Sequence, residues 1–249
     1  MPTLDENITN WSNTWDWSER GDDWSRWWGD TAALWYGALL PRIHAMTPSG
    51  TILEIAPGFG RWTQYLKDLC RRLVLVDLTE KCIAHCRERF SDCHNIEYYV
   101  NDGRSLAMIE DGSVDLVFSF DSLVHAQPDV LAAYLEQLAR KLTPEGVGFI
   151  HHSNAGSLRP LINLSRRVPA RLFPSLVRHG VAVNLPAWRD EGMTAERFAT
   201  QCEAAGLSCV SQELVSWEFG GYLIDCFSVL AAKGSRWDRP RQVDRKSVV

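Results

Sequence analysis

No apolar run in this 249-residue chain approaches the roughly 18–20 residues that a membrane-spanning helix needs. The opening residues, MPTLDENITN, hold neither the basic cluster nor the apolar stretch of a secretory signal. The seven cysteines are odd in number and form no C-x-x-C pair, which argues against a disulfide framework and makes a reducing cytoplasm the expected location. A basic surplus is missing as well. Against 26 Lys and Arg stand 31 Asp and Glu, a net charge of −5, which weighs against nucleic acid as the partner. No internal repeat is visible. The remaining proportions, 45% apolar and 23% charged, are those of a globular chain with a sizeable core, so general disorder is excluded.

One residue type is in excess. Of eleven tryptophans, seven lie in the first 35 residues: Trp11, Trp15, Trp17, Trp24, Trp27, Trp28 and Trp35. Trp17, Trp24, Trp28 and Trp35 are spaced 7, 4 and 7 apart, which predicts one shared face if the segment is helical. Residues 1–45 are therefore expected to form a helical segment that either packs onto the main core or serves as a lid whose rings wall a substrate. A second imbalance spans residues 155–192. Between Ala155 and Arg189 there is no acid, but there are Arg159, Arg166, Arg167, Arg171, Arg178, Arg189 and His179. Pro160, Pro169, Pro174 and Pro186 divide this stretch into short pieces. It reads as an insertion that is either a solvated face or a cationic wall towards an anionic acceptor. Residues 234–249 form a basic, polar tail expected to fray.

Between them, residues 46–233 alternate strand and helix. TILEIA, LVLVD, NIEYYVND, VDLVFSF and VGFIHHSN read as strands, and the segments between the earlier ones as helices, including RWTQYLKDLCRR and PDVLAAYLEQLARKL. Pro144–Gly146 is expected to turn the chain. TAERFATQCEAAGL reads as a further helix, before a closing pair of strands in LSCVSQELVSW and YLIDCFSVLAAK. The alternation predicts an α/β fold with a doubly wound, mostly parallel, seven-stranded Rossmann-like sheet whose last strand is antiparallel. In such sheets a ligand lies at the carboxyl ends of the strands. The first strand ends in Glu54-Ile55-Ala56-Pro57-Gly58-Phe59-Gly60, a turn of small residues that lets a ligand approach backbone. The second ends on Asp77, which can accept both hydroxyls of a ribose, followed by Leu78. The third ends in Asn101-Asp102-Gly103, offering a carboxylate to an exocyclic amine.

With these residues the sequence resembles the class I S-adenosylmethionine-dependent methyltransferases over roughly Thr51–Lys233. The FDSLVH and FIHHSN stretches are similar to bacterial small-molecule and sugar O-methyltransferases. The resemblance implies S-adenosyl-L-methionine as cofactor and S-adenosyl-L-homocysteine as product. It implies that Glu54 organises the turn near the methionine amino group, that Ala56, Gly58 and Gly60 line the cofactor, and that Asp77 with Leu78 holds the ribose. Asp102 and Gly103 would meet the adenine, and Phe120 the methionyl part. Ala56 departs from the family pattern by standing where its first glycine falls. The turn is not the pyrophosphate-binding G-x-G-x-x-G, because the third glycine position comes too early.

Methyl transfer needs positioning, and a hydroxyl acceptor also needs a base. Asp121, His125, His151 and His152 follow the fourth and fifth strands and are the expected catalytic cluster, with a His/Asp pair as general base. Adjacent strand residues point to opposite faces, so His151 and His152 cannot both face one pocket. A divalent metal is the rival use of the cluster. The cluster is rich in nitrogen where magnesium prefers oxygen, so no metal is expected. A zinc site at Cys82, His85, Cys86, Cys93 and His94 is likewise set aside for amphipathic packing. The expected reaction is transfer of a methyl group to a hydroxyl of a small molecule, a sugar or a glycosylated or phosphorylated acceptor, with no nucleic acid and no membrane span. Phenolic, carboxylate or amine acceptors, and an inert cofactor-binding module, are the alternatives.

Overall fold

The structure, a computed structural model, describes residues 3–179, 181–182, 189–216 and 222–247. Pro186 of the insertion and Trp217 of the sixth predicted strand lie outside the described residues. Eight strands form one sheet: β1 (Ser49–Ile55), β2 (Cys70–Asp77), β3 (Ile96–Val100), β4 (Val114–Ser119), β5 (Leu142–Ser153), β6 (Leu207–Ser216), β7 (Asp225–Ala232) and β8 (Gln242–Ser247). Their order is β3-β2-β1-β4-β5-β7-β6-β8. The first five pair in parallel, and β7 runs antiparallel to both β5 and β6. This is the doubly wound sheet the alternation predicts, with one strand more. The tail expected to fray supplies that strand: β8 adds in parallel to β6, from Ser211 opposite Gln242 to Ser216 opposite Ser247. A polar edge strand such as QVDRKS buries neither face, so it carries no apolar alternation by which to be read.

The central strands are buried on both faces, as the apolar runs LVLV in β2 and LVF in β4 require. One core lies between the sheet and α6 (Pro128–Lys141) with α9 (Ala195–Ala204), built on Leu53, Val74, Val117, Leu135 and Phe198. The other lies beneath α5 (Glu80–Arg89) and the N-terminal segment, on Ile52, Leu75, Phe118, Trp35 and Ile83. Two expected boundaries move. The helix predicted over 61–72 shrinks to α4 (Thr63–Leu66), because β2 already begins at Cys70. The Pro144–Gly146 turn is absorbed into β5, with a shift of register against β4 between Val114 and Leu116.

The N-terminal segment is helical in short pieces: α1 (Leu4–Thr9), a π-helical turn over Asn10–Thr14, a 3-10 helix over Asp22–Trp28, α2 (Thr31–Leu34), a π-helical turn over Trp35–Leu39 and α3 (Leu40–Ile43). Thr3 caps α1 reciprocally with Glu6. Because the pieces change direction at Gly21 and Gly29, both at positive φ, the four tryptophans expected on one face separate. Trp28 and Trp35 join the core under the sheet, whereas Trp17 and Trp24 gather around Phe59. In the insertion, α7 (Arg159–Ser165) and α8 (Phe173–Arg178) are the two short helices.

Candidate functional site

A cleft opens at the carboxyl ends of β1, β2 and β4, where an open α/β sheet places its ligand. Its first wall is the turn after β1. Ala56, Gly58 and Gly60 all adopt positive φ, 58°, 58° and 81°. At Gly58 a Cβ would stand 3.0 Å from the Trp17 ring, which would have to give way. At Gly60 it would stand 2.5 Å from Phe90. Ala56, the one residue of the three with a Cβ, holds the left-handed conformation at a cost of about 1–2 kcal/mol.

Asp77 closes this wall from β2. Its Oδ2 accepts from the Gly58 N–H at 3.2 Å, and its Oδ1 from the Thr79 N–H and hydroxyl at 2.9 and 3.0 Å. Burial pushes the Asp77 carboxyl above the usual range in spite of those donors. Beneath the turn lies Glu54, 1% exposed. Thr63 donates to its Oε2 at 2.7 Å, while Oε1 is buried without a hydrogen-bond partner. Burial raises its pKa to about 8. Leu78, Gly103 and Phe120 also line the cleft. Glu54 and Gly60 do not, Gly60 facing Phe90 and Cys86 instead, and neither does Asp102. The Asp102 carboxylate, expected to face a ligand, is exposed and turned back on its own loop, accepting from the Arg104 and Ser105 N–H groups at 2.9 and 2.7 Å. Asp102 is thus corrected from a cleft residue to a loop-capping one, and Gly103 takes the place beside the cleft.

The opposite wall is charged. Asp121 follows β4 at φ +66°. Arg61 reaches its Oδ2 at 2.9 Å while the Arg61 guanidinium lies 4.4 Å from the Trp62 ring centroid and 5.1 Å from that of Trp24. The Asp121 N–H donates to His151 Nδ1 at 3.1 Å. His151 Nε2 stands 3.2 Å from Asp225 Oδ2, and Arg189 Nε donates to both Asp225 oxygens at 2.9 and 3.1 Å. Burial alone would raise both carboxyls. Arg61, His151 and Arg189 outweigh it at Asp121, and Arg189 with His151 does so at Asp225, holding both below the ordinary range.

The four expected catalytic residues therefore divide. Asp121 and His125 line the cleft, His125 with its ring centroid 5.4 Å from that of Trp11. His151 is fully buried behind Asp121 and is not part of the lining. His152 points to the other face of β5, as a period of two requires. It lies between the Ser153 carbonyl (2.9 Å) and the Ser228 hydroxyl (2.8 Å), stacked on Phe198, and burial lowers its pKa to about 4. It belongs to the core and is removed from the catalytic cluster. Among the described residues, no group of three or more His, Cys, Asp or Glu is placed to hold a metal ion. Cys82 and Cys86 are buried in the packing of α5, with the Cys86 thiol donating to the Gly58 carbonyl at 3.2 Å.

Three partners escaped sequence reasoning. Arg61 directly follows the glycine turn and could have been flagged there. Arg189 and Asp225 come from chain segments 68 and 104 residues after Asp121 and carry no local signal. The roof was half legible: Leu4, Asn7, Trp11, Trp17, Arg20 and Trp24 all line the cleft. Trp17 stacks on Phe59 at 4.4 Å and donates its indole N–H to the Trp11 carbonyl at 2.9 Å. Of the two readings of the basic insertion, the described residues favour the solvated face. None of Arg159, Arg166, Arg167, Arg171 and Arg178 lines the cleft, and only Arg189 of that stretch turns inward.

Residues 52–146 match the family model of the methyltransferase domain. The chain is 28% identical over 116 residues to phosphoethanolamine N-methyltransferase 1 of Caenorhabditis elegans, covering 47% of this chain and 23% of that one. It is 26% identical over 110 residues to ribosomal RNA small subunit methyltransferase A of Coxiella burnetii, covering 38% and 43%. The chain thus spans about a quarter of the length of the first of these relatives and under half of the second. Among solved structures it is similar to the PH0226 protein of Pyrococcus horikoshii OT3, with a TM-score of 0.57 at 19% identity, covering 90% and 96% of the two chains. A SAM-dependent methyltransferase of Aquifex aeolicus gives 0.53 at 18%, covering 86% and 95%.

Proposed function

We propose that this chain, whose residues 52–146 match the methyltransferase-domain model, uses S-adenosylmethionine to methylate a hydroxyl of a small acceptor held under the tryptophan roof, with His125 as general base. The cofactor fits the residues present. The Ala56–Gly60 turn at positive φ leaves backbone to lie against, the Asp77 carboxylate stands in the wall, and the unpartnered Glu54 oxygen lies under the turn. Asp77 would hold the ribose, and Gly58, Leu78, Gly103 and Phe120 would pack the remainder. When bound, S-adenosylmethionine supplies a methyl group already activated on a sulfonium. The protein's share is then positioning, exclusion of water and acceptance of one proton.

The observation that carries the reading is His125, the histidine on the cleft wall, beside a carboxylate whose pKa Arg61 helps hold below the ordinary range, which makes it a weak proton acceptor. His125 takes the hydroxyl proton as the new C–O bond forms. Asp121 and Arg61 fix the polar end of the acceptor, while Trp11, Trp24 and Trp62 offer faces on which a sugar ring stacks. A second reading has a specific basis: Trp11, Trp17 and Trp24 line the same cleft as the Asp121 carboxylate, surroundings that also suit a cationic amine.

The test is a panel of hydroxyl and amine acceptors with mass analysis of the methylated product. On a hydroxyl acceptor, His125→Ala should lower kcat by about 10²–10⁴-fold with cofactor affinity retained. The parent's activity should fall as pH drops and the base becomes protonated, and chelator should leave it unchanged. Wild-type kcat in His125→Ala would remove the base, and methylation of amines alone would establish the second reading.

A further inference from the structure

The arginine-rich insertion is left without a role by the cleft, and its structure gives it one. Helix α8, FPSLVR, has no buried residue, although Phe173, Leu176 and Val177 are apolar and Leu172 before them is 48% exposed. At 100° per residue, Leu172, Phe173, Leu176 and Val177 occupy one arc of about 140°, while Arg171, Ser175 and Arg178 fall on the other side. Two further apolar side chains stand outward nearby in sequence, Leu164 at 53% and Val181 at 49% exposure. Around them Arg159, Arg166, Arg167, Arg171 and Arg178 are all exposed. Arg166 pairs with Glu191, whereas no carboxylate among the described residues forms an ion pair with Arg159, Arg167, Arg171 or Arg178. Phe173, Leu176 and Val177 are half-buried, so the apolar side of α8 is only partly covered; a protein surface in water ordinarily interleaves charges of both signs and does not gather outward apolar side chains among unpaired arginines.

We propose that residues 159–181 form an interfacial surface that binds bilayers containing anionic lipid. The apolar arc of α8 would enter the headgroup boundary, and the flanking arginines would meet lipid phosphates and carboxylates. Both halves of the observation are needed. Arginines alone would suit any polyanion, but the exposed Leu164, Leu172 and Val181 find their counterpart in acyl chains and none in a nucleic acid backbone. No helix among the described residues is long and apolar enough to cross a membrane, so the attachment would be peripheral. It does not depend on which acceptor is methylated.

The experiment is flotation of the full chain with vesicles of phosphatidylcholine alone and of phosphatidylcholine with phosphatidylserine. Binding is expected to the anionic vesicles, to weaken with added salt, and to be slight on the neutral ones. Each arginine removed in Arg167→Gln, Arg171→Gln or Arg178→Gln should weaken partitioning about fivefold. The double variant Leu172→Ser with Phe173→Ser should lose most of the binding even at low salt. S-adenosylmethionine affinity, measured on every variant, should match the parent and shows that the domain is intact. Absence of parent binding, or equal binding to both vesicle types, would overturn the proposal. So would arginine-dependent binding of duplex DNA that the Leu172/Phe173 variant retains, because the surface would then be a polyanion site.

Discussion

Glu54 and Asp77 at the turn end of the cleft, and Asp121 and Asp225 at its charged end, are carboxylates taken largely out of water, yet they shift in opposite directions. Burial is the largest influence on all four and raises each one. What separates the ends is pairing. Glu54 and Asp77 are held by hydroxyl and amide donors and by no guanidinium in contact, whereas Asp121 and Asp225 lie against Arg61, Arg189 and His151. Neutral donors reduce the desolvation penalty of a carboxylate, and only opposite charge reverses it here. The ends therefore respond to pH with opposite sign. The depressed pair stabilises the fold above the ordinary carboxylate range and loses that contribution as pH falls. Glu54, raised from 4.5 to about 8, contributes most below 4.5 and loses its contribution as pH climbs towards 8.

Breaking the charged end should have the largest effect. Asp225→Ala leaves Arg189 and His151 in the interior without their shared carboxylate, and a broken buried pair costs about 3–5 kcal/mol. Denaturant unfolding of the variant should show that loss at pH 7. A cost below about 1 kcal/mol would mean that Arg189 finds solvent readily and that the end is not held by pairing. Breaking the turn end through Asp77→Ala should act on binding more than on folding. Loss of two charge-assisted hydrogen bonds to ribose hydroxyls, at about 1.5–3 kcal/mol each, should weaken S-adenosylmethionine at least 10²-fold by calorimetry. Unchanged affinity would sink the assignment of Asp77.

The comparison also explains what could be read in advance. The turn end is local: Glu54, Ala56, Gly58 and Gly60 lie within seven residues, and Asp77 and Gly103 follow the next two strands, so strand spacing alone brings them together. The charged end is assembled from β4, β5, β7 and the insertion, and Arg189 and Asp225 have no neighbour in sequence that announces them. Asp102 misled because an Asp at a strand end can cap its own loop as readily as face a ligand. The tryptophan spacing misled because a helical period has meaning only within one helix, and the N-terminal segment is several short ones. His151 and His152 were separable by strand alternation, but which of them faced the charged end depended on the register with β7.

Glu54→Gln sharpens the opposite-sign argument. The amide keeps the size of the side chain and an acceptor for Thr63 but cannot ionise. At about 1.4 kcal/mol per pKa unit, a displacement from 4.5 to about 8 corresponds to a few kcal/mol that the parent loses between those pH values and the variant does not. The difference in Tm between variant and parent should therefore shift in favour of Glu54→Gln from pH 5 to pH 8. A difference constant across that range would show that Glu54 is ionised in the fold throughout, with water or an ion on Oε1.

The smallest effect should come from Ala56→Gly, which tests whether the turn stores strain. Left-handed backbone costs an alanine about 1–2 kcal/mol, and glycine adopts it freely. Against that gain stand about 0.5–1 kcal/mol of extra freedom in the unfolded chain and the loss of a methyl that packs against the core beneath α6. The terms nearly cancel, so denaturant unfolding should place the variant between unchanged and about 1 kcal/mol more stable, with cofactor affinity within a few-fold of the parent. A loss beyond 1 kcal/mol would mean that the Ala56 methyl contributes more to packing than its backbone costs. The departure from glycine at this position would then be a stabilising choice, not a tolerated one.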